Sequence, residues 1–425
     1  MRILFISYFY PPLGGPAALR NVKTVKYLSE LGCIVDVISV GDIEYTYSDK
    51  SLLSETREQI LIRTTSFDPM ALLRKLFHKR TDLSQRLYRS TPERVKLLIR
   101  QLYPLDDKIG WLPPLLKAGN KALLENNYDL IYVSCGPFSS AIAAFYLAKK
   151  YRLPYVVEMR DYWTLLSDYN LQGSALNRWL SRYWENKILQ SANGIVTVTK
   201  GIGNDLAEAF GETLKDKIHV LYNSHDETDY AALKPGEKQA NRFILSYFGA
   251  LYARRSLRHF YAALKELAAE SKLPPYTEIR LFGNYNLEAR QEIEQSGIES
   301  MIKIVPQLSH KEALQQMNES DALILVINSS SPSGTLTSKV FEYLRIGKPI
   351  LAMIPAFGEA AELLAESKQN YICAMESRSS IKACLTRLIE ERQGETLFTY
   401  PAEKYSRQKQ VASLYSFLQK VCNVT

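Results

Sequence analysis

A chain of 425 residues is too long to close over one hydrophobic core and calls for two or three domains. Its 46% apolar and 23% charged residues are those of a globular protein, which excludes a disordered or fibrous chain. Five scattered cysteines (Cys33, Cys135, Cys373, Cys384, Cys422) with no C-x-x-C pair argue for a reducing compartment, against a disulfide framework and against a zinc centre. The apolar run ILFISYFY after Met1-Arg2 is too short for a signal peptide, and no stretch of about 18 apolar residues follows, so a cytoplasmic protein is expected.

Strand and helix patterns alternate along the chain. Short runs rich in Val, Ile and Tyr, apolar on both faces, predict parallel strands at 3–7, 35–39, 60–64, 129–134, 155–159, 194–199 and 218–222. Amphipathic patterns predict helices at 21–31, 139–151, 177–191 and 201–210. A polar stretch with Pro235-Gly236 marks a boundary, and the alternation restarts. Its strands fall at 243–248, 278–282, 302–305, 322–327 and 349–353, and its helices at 257–269, 287–295, 311–318 and 339–346. The fold class is therefore α/β: two doubly wound, Rossmann-like parallel-sheet domains facing across a cleft, each with its ligand loops at the carboxyl ends of its strands. The domains are expected at 1–224 and 240–404, with a linker at 225–239 and a last amphipathic helix at 405–421.

The net charge of +8 is partly local. Between Arg74 and Arg100 nine Lys or Arg face only Asp82 and Glu93, with leucines interleaved. Three readings stand: a helical pair with a solvated basic face, a contact of 72–102 with anionic lipid, and nucleic-acid binding. The last is the weakest, because no recognition motif accompanies the charge, and no nucleic-acid partner is expected.

Five loops carry candidate chemistry. The first strand exits through YFYPPLGGPAALRN, where Gly14 and Gly15 let backbone approach a ligand ahead of a helix near Asn21; it is not G-x-G-x-x-G. The fifth ends in EMRDYW, crowding Glu158, Arg160 and Asp161 into four residues, so that either the charges brace the loop or Arg160 or Asp161 meets a reacting sugar or acceptor hydroxyl. YFGALYARRSL places Gly249 at a strand exit with Arg254 and Arg255 before the next helix, and an arginine fork suits a diphosphate. LFGNYN repeats the glycine exit at Gly283, with Asn284 and Tyr285 able to meet a base. In SKVFEYLRIGKPI, Glu342 suits a helix start but Lys339 does not, because the first turn carries partial positive charge. A phosphate held there by backbone N–H groups and Lys339, with Glu342 accepting from sugar hydroxyls, accounts for both. A capped surface helix with an incidental lysine is the alternative.

FYPPLGG, EMRDYW, YNSHD, FGALYARRS and SKVFEYLRIGKPI, in that order, resemble the family 4 glycosyltransferases of the GT-B fold, of bacterial polysaccharide or lipid-linked glycan type. The resemblance covers nearly the whole chain; it is strongest over 243–366 and weakest over 45–110. It implies a retaining hexosyltransferase that moves sugar from a nucleotide-diphosphate-sugar to a glycan or lipid-linked acceptor hydroxyl, without a metal or other cofactor. It implies that Gly14 and Gly15 approach the donor phosphate and the transferred sugar, and that Arg160 stands where many members carry a histidine. Arg255 matches the diphosphate-binding lysine of G-R-L-x-x-x-K-G, and Glu342 the second, ribose-binding glutamate of E-x7-E. The last helix should cross back onto the first domain. Two positions depart: Gly334 stands for the first glutamate of E-x7-E and Ala250 for the arginine of G-R-L. Lys339 and the backbone of 335–338, including Thr335 and Ser338, could supply the missing contacts.

No D-x-D stands at a strand end, so the positive potential for a departing diphosphate is expected from Arg255, Lys339, the Gly-Gly loop and helix starts. Catalysis is assigned to Glu158, Arg160, Asp161 and Gly15. Donor binding is assigned to Gly14, Gly15, Gly249, Arg254, Arg255, Gly283, Asn284, Thr335, Ser338, Lys339 and Glu342. A nucleotide-sugar epimerase or hydrolase of this fold, or a sugar-nucleotide-binding protein without activity, is the alternative. The resemblance also suggests a place at the inner face of the plasma membrane.

Overall fold

The computed structural model describes residues 1–41, 48–67, 104–165, 174–231, 233–234, 241–249, 251, 256–368, 371–392 and 400–423. The basic 72–102 segment, Ala250, Arg254 and Arg255 lie outside them. The chain divides into two units, Met1–Tyr222 with Arg407–Thr425, and Asn223–Ser406.

The first unit is built on a seven-stranded parallel sheet in the order β3-β2-β1-β4-β5-β6-β7. Its strands are β1 (Arg2–Ser7), β2 (Ile34–Val40), β3 (Ile60–Thr64), β4 (Leu130–Ser134), β5 (Tyr155–Met159), β6 (Gly194–Thr197) and β7 (Ile218–Val220). Its helices are α1 (Pro16–Glu30), α2 (Leu112–Glu125), α3 (Ser139–Tyr151), α4 (Ala175–Ser191) and α5 (Lys200–Phe210). Side chains alternate across the sheet, so each strand feeds two cores. Leu4, Ile6, Ile131 and Val133 pack with Leu115, Ala144 and Leu147 on one face, and Ile3, Phe5, Leu130 and Tyr132 with Val22, Val25 and Leu28 on the other. The second face is completed by the last helix, Arg407–Asn423, through Val411, Leu414, Leu418 and Val421. The chain thus returns to its first unit, as the resemblance implies.

Helix α1 starts at Pro16, not near Asn21. Gly15 is its N-cap and Pro16 occupies the first turn, where a missing N–H costs nothing. Helix α2 was not foreseen, because Pro113-Pro114 resembles a loop; both prolines sit in its first turn. The last helix begins at Arg407, two residues later than expected.

The second unit carries a six-stranded parallel sheet, β10-β9-β8-β11-β12-β13. Its strands are β8 (Arg242–Phe248), β9 (Tyr276–Phe282), β10 (Ile302–Val305), β11 (Ala322–Val326), β12 (Ile350–Met353) and β13 (Ile372–Cys373). The helices are α6 (Glu227–Tyr230), α7 (Arg258–Ala269), α8 (Leu287–Glu294), α9 (His310–Glu319), α10 (Lys339–Ile346), α11 (Glu359–Glu366) and α12 (Arg378–Glu391). One core runs from Phe243, Leu245 and Tyr247 through Ile279, Ile324 and Met353 to Ile381 and Leu385. Strand order reverses between β1 and β4 in the first sheet and between β8 and β11 in the second, and such switch points open a crevice at the strands' carboxyl ends. The last helix and the two sheets make the architecture that of the GT-B fold.

Candidate active site

In the first unit the β1 exit is braced through its carbonyls. Pro12 O accepts from the Asp49 N–H at 2.9 Å and Ser48 Oγ at 2.8 Å, and Pro11 O accepts from the Arg63 guanidinium. Gly14 is buried, and Gly15 turns the chain into α1 at φ +90°. No side chain caps α1 and no acid lies in its first turn, so its orphan amides keep their partial positive charge.

Across the switch point, β4 exits through Gly136 at φ +103°. Arg160 folds back over this exit: Nε donates to Cys135 O at 2.7 Å and Nη2 to Gly136 O at 3.3 Å. A Cβ on Gly136 would lie 2.6 Å from the guanidinium. Asp161 is exposed beside it. Glu158, two residues earlier, is 1% exposed and faces inward to Arg20, at 2.7 Å from its Nη2 and 2.8 Å from its Nε. Burial alone would raise the Glu158 carboxyl; Arg20 and Arg160 prevail and hold it below the usual range. Arg20 also donates to Leu221 O and Tyr222 O, so it ties β5 to the end of the sheet. Asp106 sits at the start of α3, accepting from the Ser139 N–H at 2.7 Å and its hydroxyl at 3.0 Å, and burial pushes its carboxyl up to about 6.

In the second unit the glycine exits stack backbone on backbone. The Gly249 N–H donates to Phe282 O and the Gly283 N–H to Val305 O, and a Cβ on Gly283 would lie 2.5 Å from Gly249 O. Their φ values of +139° and +146° favour glycine. Lys339, first residue of α10, reaches over this floor with Nζ 5.0 Å from the Tyr247 ring centre, and a Cβ on Gly249 would strike it. Ser338 precedes it with no side-chain cap. The β11–α10 loop holds Gly334, which is buried, and Thr335, whose N–H donates to Pro332 O. It docks against Gly358, where a Cβ would lie 2.6 Å from Ser333 O. Asn328 Oδ1 and Thr337 Oγ1 are buried in this loop without a hydrogen-bond partner among the described residues, and such atoms cost about 1–3 kcal/mol each until a ligand or water meets them.

Glu342 lies one turn beyond Lys339. Its Oε1 is 2.9 Å from His310 Nε2, and His310 Nδ1 is 3.8 Å from Asp229 Oδ2. One carboxylate oxygen is thus occupied and the side chain held in one orientation. Asn284 is bonded to Gln307 at 3.3 Å, and Tyr285 is buried.

The fold therefore gathers Gly249, Gly283 and Lys339 at one switch point, with Thr335, Ser338 and Glu342 on the adjoining loop and helix. In the first unit Gly14 and Gly15 leave β1, while Glu158, Arg160 and Asp161 leave β5, with Glu158 turned into the wall. Sequence reasoning missed Arg20, Asp106, Tyr247 and His310. Only His310 carried a local signal, since Ser309 and Glu312 form the capping box that starts its helix. An uncapped helix start, a lysine over bare backbone and orphan polar atoms thus lie together at this switch point.

Residues 22–229 match the model of Glycosyltransferase Family 4. No curated protein matches the chain in sequence. Among solved structures, a sucrose-phosphate synthase from Thermosynechococcus elongatus superposes with a TM-score of 0.71 at 13% identity, covering 100% of both chains. The Anabaena protein HepE in complex with UDP and glucose does so with a TM-score of 0.63 at 17% identity, covering 100% of this chain and 99% of that one. A UDP-GlcNAc 2-epimerase from Neisseria meningitidis, bound to UDP-GlcNAc, gives 0.55 at 14% identity over 99% and 100%. The chain is a GT-B-fold protein that resembles glycosyltransferase family 4, whose model its first unit matches.

Proposed function

We propose that the protein is a retaining, metal-independent glycosyltransferase that moves a hexose from a nucleotide-diphosphate-sugar to a hydroxyl of a glycan or lipid-linked acceptor. The observation that carries this reading is Lys339 poised over the glycine floor of the second unit's switch point. Lys339, Arg254 and Arg255 would bind the diphosphate, with Gly249 and Gly283 leaving room for it to approach the backbone and Thr335 and Ser338 leading into the α10 start beside it. Glu342 would accept from the ribose hydroxyls through the oxygen that His310 leaves open, and Asn284 would meet the base. In the first unit Gly14, Gly15 and the α1 start would face donor phosphate and sugar. Arg160 and Asp161 would orient the reacting sugar and acceptor, and Glu158 would act through Arg20 as a positioning residue.

In the transfer the anomeric carbon–oxygen bond to the diphosphate breaks and a bond to the acceptor oxygen forms on the same face. The departing phosphate oxygen takes the acceptor's proton, so no protein carboxylate need act as nucleophile. The positive groups around the diphosphate stabilise the charge that develops there. Acceptors at the inner face of the plasma membrane, with 72–102 as the lipid contact, fit this chemistry.

The test is incubation with nucleotide-sugars, with and without a panel of saccharide acceptors, in EDTA, with the product's anomeric configuration read by NMR. Retained configuration in EDTA supports the reading. Inversion, or activity returning only with Mn2+, overturns it. Since an epimerase shares the fold, donor consumption without acceptor would assign the chain to epimerase or hydrolase chemistry instead. Donor binding with no turnover would mark a binding protein, for which Gly334 would be the first residue to examine.

A further inference from the structure

The first unit carries an exposed aromatic surface on α3 and α4, helices that pack side by side. On α4, Leu176, Trp179 and Tyr183 recur at i, i+3 and i+7, so they share one face. They are 67%, 63% and 45% exposed, and Tyr146 of α3 is 47% exposed beside them. The rings form one connected sheet. Trp179 stacks on Tyr183 at 5.9 Å, Tyr183 meets Trp184 edge-on at 5.7 Å, and Trp184 meets Tyr146 at 5.8 Å. A lone exposed leucine is ordinary on a soluble protein; a linked cluster of Trp, Tyr and Leu is not.

On α3 and α4 themselves the exposed charge has one sign. Apart from Glu185, which is fully buried, every charged side chain of α3 and α4 is basic: Lys149, Lys150, Arg178, Arg182 and Lys187. Lys187 lies over the Tyr183, Trp184 and Phe145 rings at 5.1–5.3 Å, its stem along the aromatics and its ammonium at the rim. The next helix, α2, adds Lys117 and Lys121 against one acid, Glu125, which Lys121 pairs at 3.7 Å.

We infer that this face is a docking surface for a bilayer rich in anionic phospholipid. Trp and Tyr sit at the headgroup level with the ring apolar side inward and the polar atom outward, and a basic rim draws them to negative headgroups. A second copy of the chain fits less well, because a two-fold contact would set this basic rim against itself. A neutral glycan would gain nothing from the lysines. The surface deepens the membrane placement proposed above, but it uses none of the donor-site residues and none of the 72–102 segment.

The test uses the full chain with phosphatidylglycerol–phosphatidylcholine vesicles and with pure phosphatidylcholine vesicles. The wild type should sediment with the anionic vesicles, lose this in high salt as the charge is screened, and show a blue shift of tryptophan emission on binding. Trp179→Ala with Tyr183→Ala, and separately Lys149→Glu with Lys150→Glu, should each weaken partition at least about tenfold, while melting temperature stays within a few degrees. Partition of both variants equal to wild type, or binding to neutral vesicles as strong as to anionic ones, overturns the inference. So does a dimer in light scattering that the Trp179→Ala, Tyr183→Ala variant dissolves, which would assign the face to self-association.

Discussion

The Lys339 ammonium lies over the Tyr247 ring and fills the space that a side chain on Gly249 would need. The glycine and the lysine are therefore one device, although 90 residues separate them. Gly249→Ala should displace Lys339 and strain a backbone at φ +139°, costing about 1–3 kcal/mol of stability and removing the rise in melting temperature expected of the wild type with its proposed nucleotide-sugar donor. Lys339→Ala leaves the backbone alone and should lower transferase turnover about 10²- to 10³-fold, since it removes charge stabilisation at the leaving group. A steady-state comparison showing a few-fold change would move the phosphate site elsewhere.

His310 holds one oxygen of Glu342. If the other serves ribose, Glu342→Gln should raise the donor KM about tenfold or more and leave kcat near wild type, the signature of binding lost equally in ground and transition states. His310→Ala should show the same pattern more weakly. A selective fall in kcat would assign Glu342 to the chemical step.

Arg20 and Glu158 form a fully buried ion pair. Glu158→Gln leaves the guanidinium without its counter-charge and should destabilise the protein by about 3–5 kcal/mol, measured by denaturant unfolding. The folded carboxyl is held below its unfolded range, so the ionised pair's contribution is present above that range and fades as pH falls through the lower folded value.

Glu185 has the opposite dependence. It is fully buried, hydrogen-bonded to Thr164, and burial pushes it up to about 7. A carboxyl raised in this way favours folding only while protonated. Stability should decline as pH climbs from the unfolded value near 4.3 to about 7, where the group must ionise in a dry site. Glu185→Gln should remove this slope and stabilise the protein at pH 8 by roughly 1–3 kcal/mol. Melting curves at pH 5 and pH 8 decide it: equal wild-type and variant differences at both would exclude the effect.

Much of the framework was legible because parallel strands buried on both faces are continuous apolar runs. Strands 60–64, 155–159 and 302–305 and helix 339–346 fall at their expected bounds. What escaped had local reasons. Pro16 and Pro113-Pro114 signal a break in isolation but are tolerated in a first turn. Strand β13 spans two residues, too few for any period. At the site, the glycine exits and Lys339 could be singled out because each breaks a local rule. The inward turn of Glu158 toward Arg20 could not, since the partners lie 138 residues apart and only the fold introduces them. The same holds for His310 and Glu342, separated by 32 residues.

The return of the last helix to the first unit sets an order on folding. Strands β1 to β7 leave the ribosome long before Arg407–Asn423 exists, yet that helix covers one face of their sheet. Without it Ile3, Phe5 and Val196 lose Val411, Leu414 and Leu418, and the Phe417 ring no longer closes over Gly194. The unit made first is thus the last to be finished, and the whole second unit folds as an insertion within it. A polypeptide halted at Ser406 would present a strip of apolar strand surface to water, so loss of the final 19 residues should send the protein toward aggregation and chaperone capture.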